Sequence, residues 1–232
     1  MCSPTFLIPL AILICMPAPA DDNQLLPRIE IYVKDRLAET TQIPKERQDE
    51  LLKLSRYIDA CRKSNKPVKL LFVCTHNSRR SHLAQLWTKI GAKHFGLDGL
   101  DSFSGGTETT AMNPRTVTAL QRAGLEITKE DSDTNNPKYS VVFCKQGSPE
   151  VCFSKSIIEP PNPTENFAAI MTCSSADVSC PNVKGSDLRL ALPYEDPKIS
   201  DGTSKESATY DAKSKEIARE MLFVMSRVVE KR

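Results

Sequence analysis

The stretch Lys69-Leu70-Leu71-Phe72-Val73-Cys74-Thr75-His76-Asn77-Ser78-Arg79-Arg80-Ser81 decides how the rest of the chain is read. Leu70 to Val73 is a short continuous apolar run, the pattern of a strand buried on both faces. From His82 to Ile90 the apolar residues at 83, 86, 87 and 90 recur at helical spacing. A loop that joins strand to helix, begins with Cys and ends with Arg has the makings of an anion site. Loop amides and the helix N-terminus converge there, and the helix dipole favours negative charge. The same field favours the thiolate of Cys74, the nucleophilic form. Arg80 offers a bidentate fork to a tetrahedral oxyanion. Ser81 offers a hydroxyl to the thiolate, and Asn77 pins the loop through side-chain to backbone bonds. The expected oxyanion-binding set is therefore Thr75, His76, Asn77, Ser78, Arg79, Arg80 and Ser81. The plainer alternative is an inert buried Cys beside a surface arginine pair. The order strand, Cys-x5-Arg-Ser, amphipathic helix argues against it.

Read outward from this point, Val73 to Trp87 resembles the phosphate loop of the low-molecular-weight protein tyrosine phosphatases and of the thioredoxin-coupled arsenate reductases that share their fold. Ser104 to Glu108, followed by Asn113 to Ile127, resembles the second strand and helix of the same family. The family usually has a small residue at position 76 and often a Cys at 79. His76 and Arg79 stand there instead, and the extra charge of Arg79 could strengthen anion binding.

The 232 residues suit one ordinary domain with an appendage, and 40% apolar residues suffice for a packed core. Net charge is +2, from 31 basic and 29 acidic side chains, so nothing points to nucleic acid or an anionic membrane surface. Residues 1–20 carry no charged side chain, are apolar from Phe6 to Met16, and end Ala18-Pro19-Ala20 before Asp21. This reads as a secretory signal cleaved after Ala20, too short for a stable membrane anchor. Localisation is then exported, periplasmic or secreted, and otherwise cytoplasmic. Cleavage would remove Cys2 and Cys15 and leave Cys61, Cys74, Cys144, Cys152, Cys173 and Cys180.

Residues 21–66 read as an N-terminal helical extension, a hairpin with Leu26, Ile29, Val33 and Leu37 on one helix and Leu51, Leu54, Ile58 and Cys61 on the other. The family core does not need it, and an inert brace is the expectation. Residues 67–232 form the phosphatase-like domain. After the first strand and loop come a strand at 99–104, a turn at Gly105-Gly106-Thr107, and a helix from Pro114 stopped by Gly124. Tyr139–Cys144 and Glu150–Ser154 read as an inserted β-hairpin. If Cys144 and Cys152 face each other, a disulfide is open to them; two free thiols are the alternative. Phe167–Thr172 and Asp187–Leu192 complete the strands, and Glu206–Val229 is the closing helix. The expected fold class is α/β: a four-stranded parallel sheet flanked by helices, with right-handed crossovers. Ligands bind beyond the strand C-termini, where Cys74, Cys173 and Asp196 all fall.

The resemblance implies roles beyond the loop. Asp196-Pro197 occupies the position of the family's general acid, although Asp-Pro is also a common turn. Cys173-x6-Cys180, after a strand and before Pro181, is similar to the redox pair of the arsenate reductases. If the segment between them is helical, the two Cα atoms lie about 10 Å apart, beyond the roughly 7 Å a disulfide tolerates, so bridging needs unwinding. The implied catalytic set is Cys74, Arg80, Asp196, Cys173 and Cys180. No metal or cofactor is expected, and the partner, if the chain is a reductase, is a thioredoxin-like dithiol reductant. A phosphatase of phosphotyrosine or small phosphomonoesters needs only Cys74, Arg80 and Asp196, and is the second reading.

Overall fold

The computed structural model describes residues 24–130, 133–180 and 182–229. Strand β1 (Val68–Cys74) is buried along nearly its whole length because it lies inside a sheet covered on both faces. Its alternate residues enter two cores, as the period of a strand requires. Leu70 and Phe72 pack into the larger cluster, while Leu71, Val73 and Cys74 pack into the smaller. The chain then forms α3 (Arg80–His94), whose return leads into β2 (Leu100–Gly106), parallel to β1. Strand β6 (Phe167–Met171) pairs with the other edge of β1, and β7 (Ser186–Ala191) with β6, all parallel. The order β2-β1-β6-β7 makes the expected four-stranded parallel sheet. Because the chain leaves β1 for one side and later returns on the other, a crevice opens at the C-terminal ends of β1 and β6.

The larger core is covered by α1 (Pro27–Ala38), α2 (Lys45–Lys63), α3, α4 (Pro114–Ala123) and α6 (Glu206–Val229). Helices α1 and α2 share that core: Ile29, Val33, Leu51, Leu54 and Ile58 are fully buried in it. Tyr32 stacks on Trp87 of α3 with ring centres 4.8 Å apart. Helix α4 is capped as its residues dictate. The Asn113 side chain accepts from Arg115 N–H, Pro114 follows, and Gly124 closes it at φ 114°. The smaller core lies under the short helix α5 (Ser174–Ser179).

Two expectations change, and one of two open alternatives is taken. Strand β2 runs on through Gly105 and Gly106 instead of turning there. A Cβ at Gly105 would meet Ile157 Cα at 2.9 Å, so the glycines serve close approach, not a turn. The inserted hairpin is present as β4 (Tyr139–Val142) and β5 (Glu150–Cys152), but a third strand, β3 (Glu126–Lys129), pairs with β4. Cys144 and Cys152 do not face each other: Cys152 lies opposite Tyr139, Cys144 bridges to Leu25, and both thiols are free. The predicted signal at 1–20 lies outside the described residues. Among those described, no helix is long and apolar enough to cross a membrane.

Candidate active site

Cys74 is the last residue of β1 and is 3% exposed. Its Sγ lies 3.1 Å from Ser81 Oγ in the first turn of α3. Asn77 Nδ2 donates to that same Ser81 oxygen at 2.8 Å. With the Ser81 oxygen already accepting from an amide, its hydroxyl proton is free to point at the sulfur. Asn77 is fully buried at φ 43°, and its Oδ1 accepts from Lys155 N–H at 2.9 Å. The loop is therefore pinned at its middle by one side chain that reaches the helix on one side and residues 153–156 on the other. No side chain caps the N-terminus of α3, which leaves the first-turn N–H groups to whatever occupies the loop.

The loop's outer wall is backbone. Thr75 O accepts from Glu108 N–H at 2.8 Å, and Ser78 O from Asn113 N–H at 2.9 Å. His76 O accepts from Ser154 Oγ and Thr110 Oγ1 at 2.9 and 3.1 Å. Gly106 passes so close that a Cβ there would collide with Glu108 O and lie 2.8 Å from Asn77 N and Thr75 O.

Arg80 turns its head toward the segment after β7. Nη1 donates to Tyr194 O at 3.0 Å and Nη2 to Asp196 Oδ2 at 2.7 Å, while the buried Nε has no partner among the described residues. Asp196 Oδ1 also caps the following turn by accepting from Lys198 N–H at 3.1 Å. Arg79 points elsewhere. Its Nε donates to Tyr210 OH at 2.9 Å, and its guanidinium lies 3.8 and 3.9 Å from Asp201 and Asp196. Its charge is answered by two carboxylates, so it does not add a free cation to the loop. Burial, set against the Arg79 hydrogen bond, pushes the Tyr210 hydroxyl up to about 12. His76 also faces outward, 3.3 Å from Glu108.

Cys173 is the N-cap of α5 and 1% exposed; its Sγ accepts from Ala176 N–H at 3.3 Å and lies 3.5 Å from Thr75 Oγ1. It thus sits against the residue next to Cys74, in one core cluster with it. Cys180 closes α5 at the far end and packs partly on the same cluster. Arg189 on β7 holds that end. It donates to Cys180 O at 2.9 Å, to Asp177 O at 2.6 Å and to Asp177 Oδ1 at 2.5 Å.

Behind the loop lies a buried polar group that sequence reasoning missed. His82 Nδ1 is 3.2 Å from Ser104 Oγ, and burial, aided by the nearby Lys155 ammonium, pushes the imidazole down to about 3. Burial likewise lowers Lys155 from the usual lysine range. His82 stood in the sequence inside an amphipathic helix, and only its place on the inward face marks it as neutral. Among the described residues no cluster of His, Cys, Asp or Glu could hold a metal.

A Cys thiol at a strand end has a Ser hydroxyl upon it, and the Arg fork that opens the next helix meets a carboxyl group. Residues 69–153 match the family model described as low molecular weight phosphotyrosine protein phosphatase. An arsenate reductase of Bacillus licheniformis is 29% identical over 137 residues, 59% of this chain and 79% of its own. One of Staphylococcus aureus is 27% identical over 128 residues, 55% of this chain and 77% of its own. A crystal structure of a YwlE mutant from Bacillus subtilis aligns at 15% identity and TM-score 0.46, covering 69% of this chain and 98% of that one.

Proposed function

We propose that the enzyme reduces arsenate through a cysteine relay. The carrying observation is the placement of Cys173, its Sγ 3.5 Å from Thr75 Oγ1 beside Cys74, at the head of a helix that ends in Cys180. Arsenate binds the loop amides and the Arg80 fork. The Cys74 thiolate attacks arsenic, and Asp196 protonates the oxygen that leaves as water. The Cys173 thiolate then attacks Cys74 Sγ. The S–As electron pair passes to arsenic, which departs as arsenite, and a Cys74–Cys173 disulfide remains. Cys180 attacks Cys173 and frees the Cys74 thiolate. An external dithiol reduces the resulting Cys173–Cys180 disulfide, each step being thiolate on sulfur.

The second reading, a phosphatase acting through a cysteinyl-phosphate, draws support from α5 itself. Wound as it is, the helix keeps its two sulfurs' residues about 10 Å apart by the helical rise. The testing experiment runs purified protein with arsenate and a dithiol beside p-nitrophenyl phosphate. Arsenite formed over many turnovers supports the reductase; phenolate release with no arsenite supports the phosphatase.

Export through residues 1–20 belongs to the same proposal and sets a condition on it. Outside the cytosol the last disulfide needs a dithiol other than cytosolic thioredoxin. N-terminal sequencing of protein from the native host should begin at Asp21. Soluble cytosolic material starting at Met1 rejects export.

A further inference from the structure

Helix α2 reaches the segment that aims the arginine of the anion site. We propose that Arg47, on α2, is a positioning residue for Arg80. The proposal rests on Arg80 as the group that holds the oxyanion.

The head of Arg80 has two partners, Tyr194 O and Asp196 Oδ2, and both belong to one short segment after β7. The direction of the fork is therefore set by where residues 193–196 lie. On the sheet side the segment is tied by Tyr194 N–H to Thr172 O at 3.1 Å. Its other fastening comes from α2 and α6. Arg47 Nε lies 3.0 Å from each oxygen of Glu220, and Nη2 lies 2.9 Å from Oε2. The same guanidinium stands 4.8 Å over the Tyr194 ring and 3.5 Å from Pro193 O. The Tyr194 hydroxyl donates to Glu220 Oε2 at 2.7 Å. Glu220 and Tyr194 are 3% and 5% exposed.

This arrangement makes a chain of contacts from the appended helix to the fork. A buried carboxylate needs its cation, and losing one partner is strongly unfavourable. Without Arg47 the Glu220 carboxylate must move toward water or accept a proton, and the Tyr194 ring loses the cation on its face. Either response shifts the Tyr194 backbone, whose carbonyl holds Arg80 Nη1. Placement errors of this kind are felt strongly at a site whose work is to orient groups. The planar fork matters as well as the charge, because it serves Glu220 with two nitrogens while lying over the ring. The Ser55 tie of α2 stands apart from these hydrogen bonds. Ser55 Oγ donates to Val224 O at 3.1 Å, deep in the core, and makes no bond to the 193–196 segment.

The test is calorimetric titration of the full chain with inorganic phosphate, beside thermal unfolding. Four variants are compared: Arg47→Gln, Arg47→Lys, Ser55→Ala and Arg80→Lys. Arg47→Lys keeps a cation against Glu220 and so keeps the fold even if Arg47→Gln does not. Ser55→Ala should lower the unfolding midpoint and leave phosphate affinity alone. Arg47→Lys should weaken phosphate roughly tenfold, with a midpoint no lower than that of Ser55→Ala. Arg80→Lys should lose binding. Wild-type affinity in both Arg47 variants, with binding lost in Arg80→Lys, overturns the Arg47 assignment alone. Equal weakening by Ser55→Ala also overturns it, since α2 would then act as a whole. Unchanged binding in Arg80→Lys overturns the oxyanion role of Arg80 and the Arg47 assignment with it.

Discussion

Arg80 Nη2 lies 2.7 Å from Asp196 Oδ2, so the fork proposed to hold an oxyanion holds the carboxyl group proposed as its acid. An arriving oxyanion must take the remaining guanidinium N–H groups beside that carboxylate, whose charge opposes it. Asp196→Asn should therefore leave phosphate affinity intact or tighten it, while turnover falls by about 10²- to 10⁴-fold, the range of general-acid effects. Steady-state kinetics with p-nitrophenyl phosphate and phosphate inhibition measure both quantities. Unchanged turnover would reduce Asp196 to the cap of the turn at Lys198.

Cys74→Ser should abolish arsenate reduction and phosphate-ester turnover together while the fold stays intact, since serine keeps the hydrogen bond to Ser81 but not the thiolate. Near-normal activity would remove Cys74 as nucleophile. Circular dichroism and both assays on one preparation decide it.

Gly106→Ala tests the close approach of β2 to the loop. The added methyl has no free direction, with Asn77 N and Thr75 O both at 2.8 Å. The expected outcome is a displaced loop, phosphate binding lost, and far-UV circular dichroism retained. Full phosphate affinity would mean that the loop yields without losing its geometry.

His82 gives a pH dependence with a definite sign. Its imidazole takes a proton at 6.5 when free and at about 3 in the fold, because burial and the Lys155 charge oppose it. Between those values the unfolded chain binds more protons, so stability is full above about 6.5 and falls as pH drops, by about 1.4 kcal/mol per unit. Urea unfolding at pH 6 and pH 4 should show a steeper loss for the native chain than for His82→Gln. Equal slopes would place the imidazole within reach of water.

Local signals in the sequence carry much of the fold, and what they do not carry has physical causes. The double-sided burial of Leu70 to Val73 and the punctuation of α4 by Asn113, Pro114 and Gly124 are local signals, and the structure has both. Strand β3 was missed because only Ile127 of its four residues is buried, so no alternation marks it. Gly105-Gly106 reads locally as a turn, because the need for bare backbone comes from Ile157 and Glu108, which local sequence does not reveal. Tyr194 gives Arg80 a carbonyl, which every residue has, so its residue type carries no signal of that contact. The orientation of Arg79 depends on Tyr210, 131 positions away.

The relay itself separates the two readings of function. If the reductase reading holds, Cys173→Ser and Cys180→Ser each stop multiple-turnover arsenate reduction by different routes. Without Cys173, Cys74 keeps its adduct and no internal disulfide forms. Without Cys180, one round proceeds and stops at a Cys74–Cys173 disulfide, which peptide mass spectrometry after arsenate treatment should show. Hydrolysis of p-nitrophenyl phosphate should survive both changes, because water clears the cysteinyl-phosphate with Asp196 as base. Helix α5 must unwind for Cys180 to reach Cys173, and unwinding breaks the bonds from Arg189 to Asp177 and Cys180. Arg189→Gln should then speed the formation of the Cys173–Cys180 disulfide with a mild oxidant such as diamide. If instead both cysteine variants lose phosphatase activity and thermal stability together, the two thiols are packing groups at the ends of α5, and the enzyme works as a phosphatase.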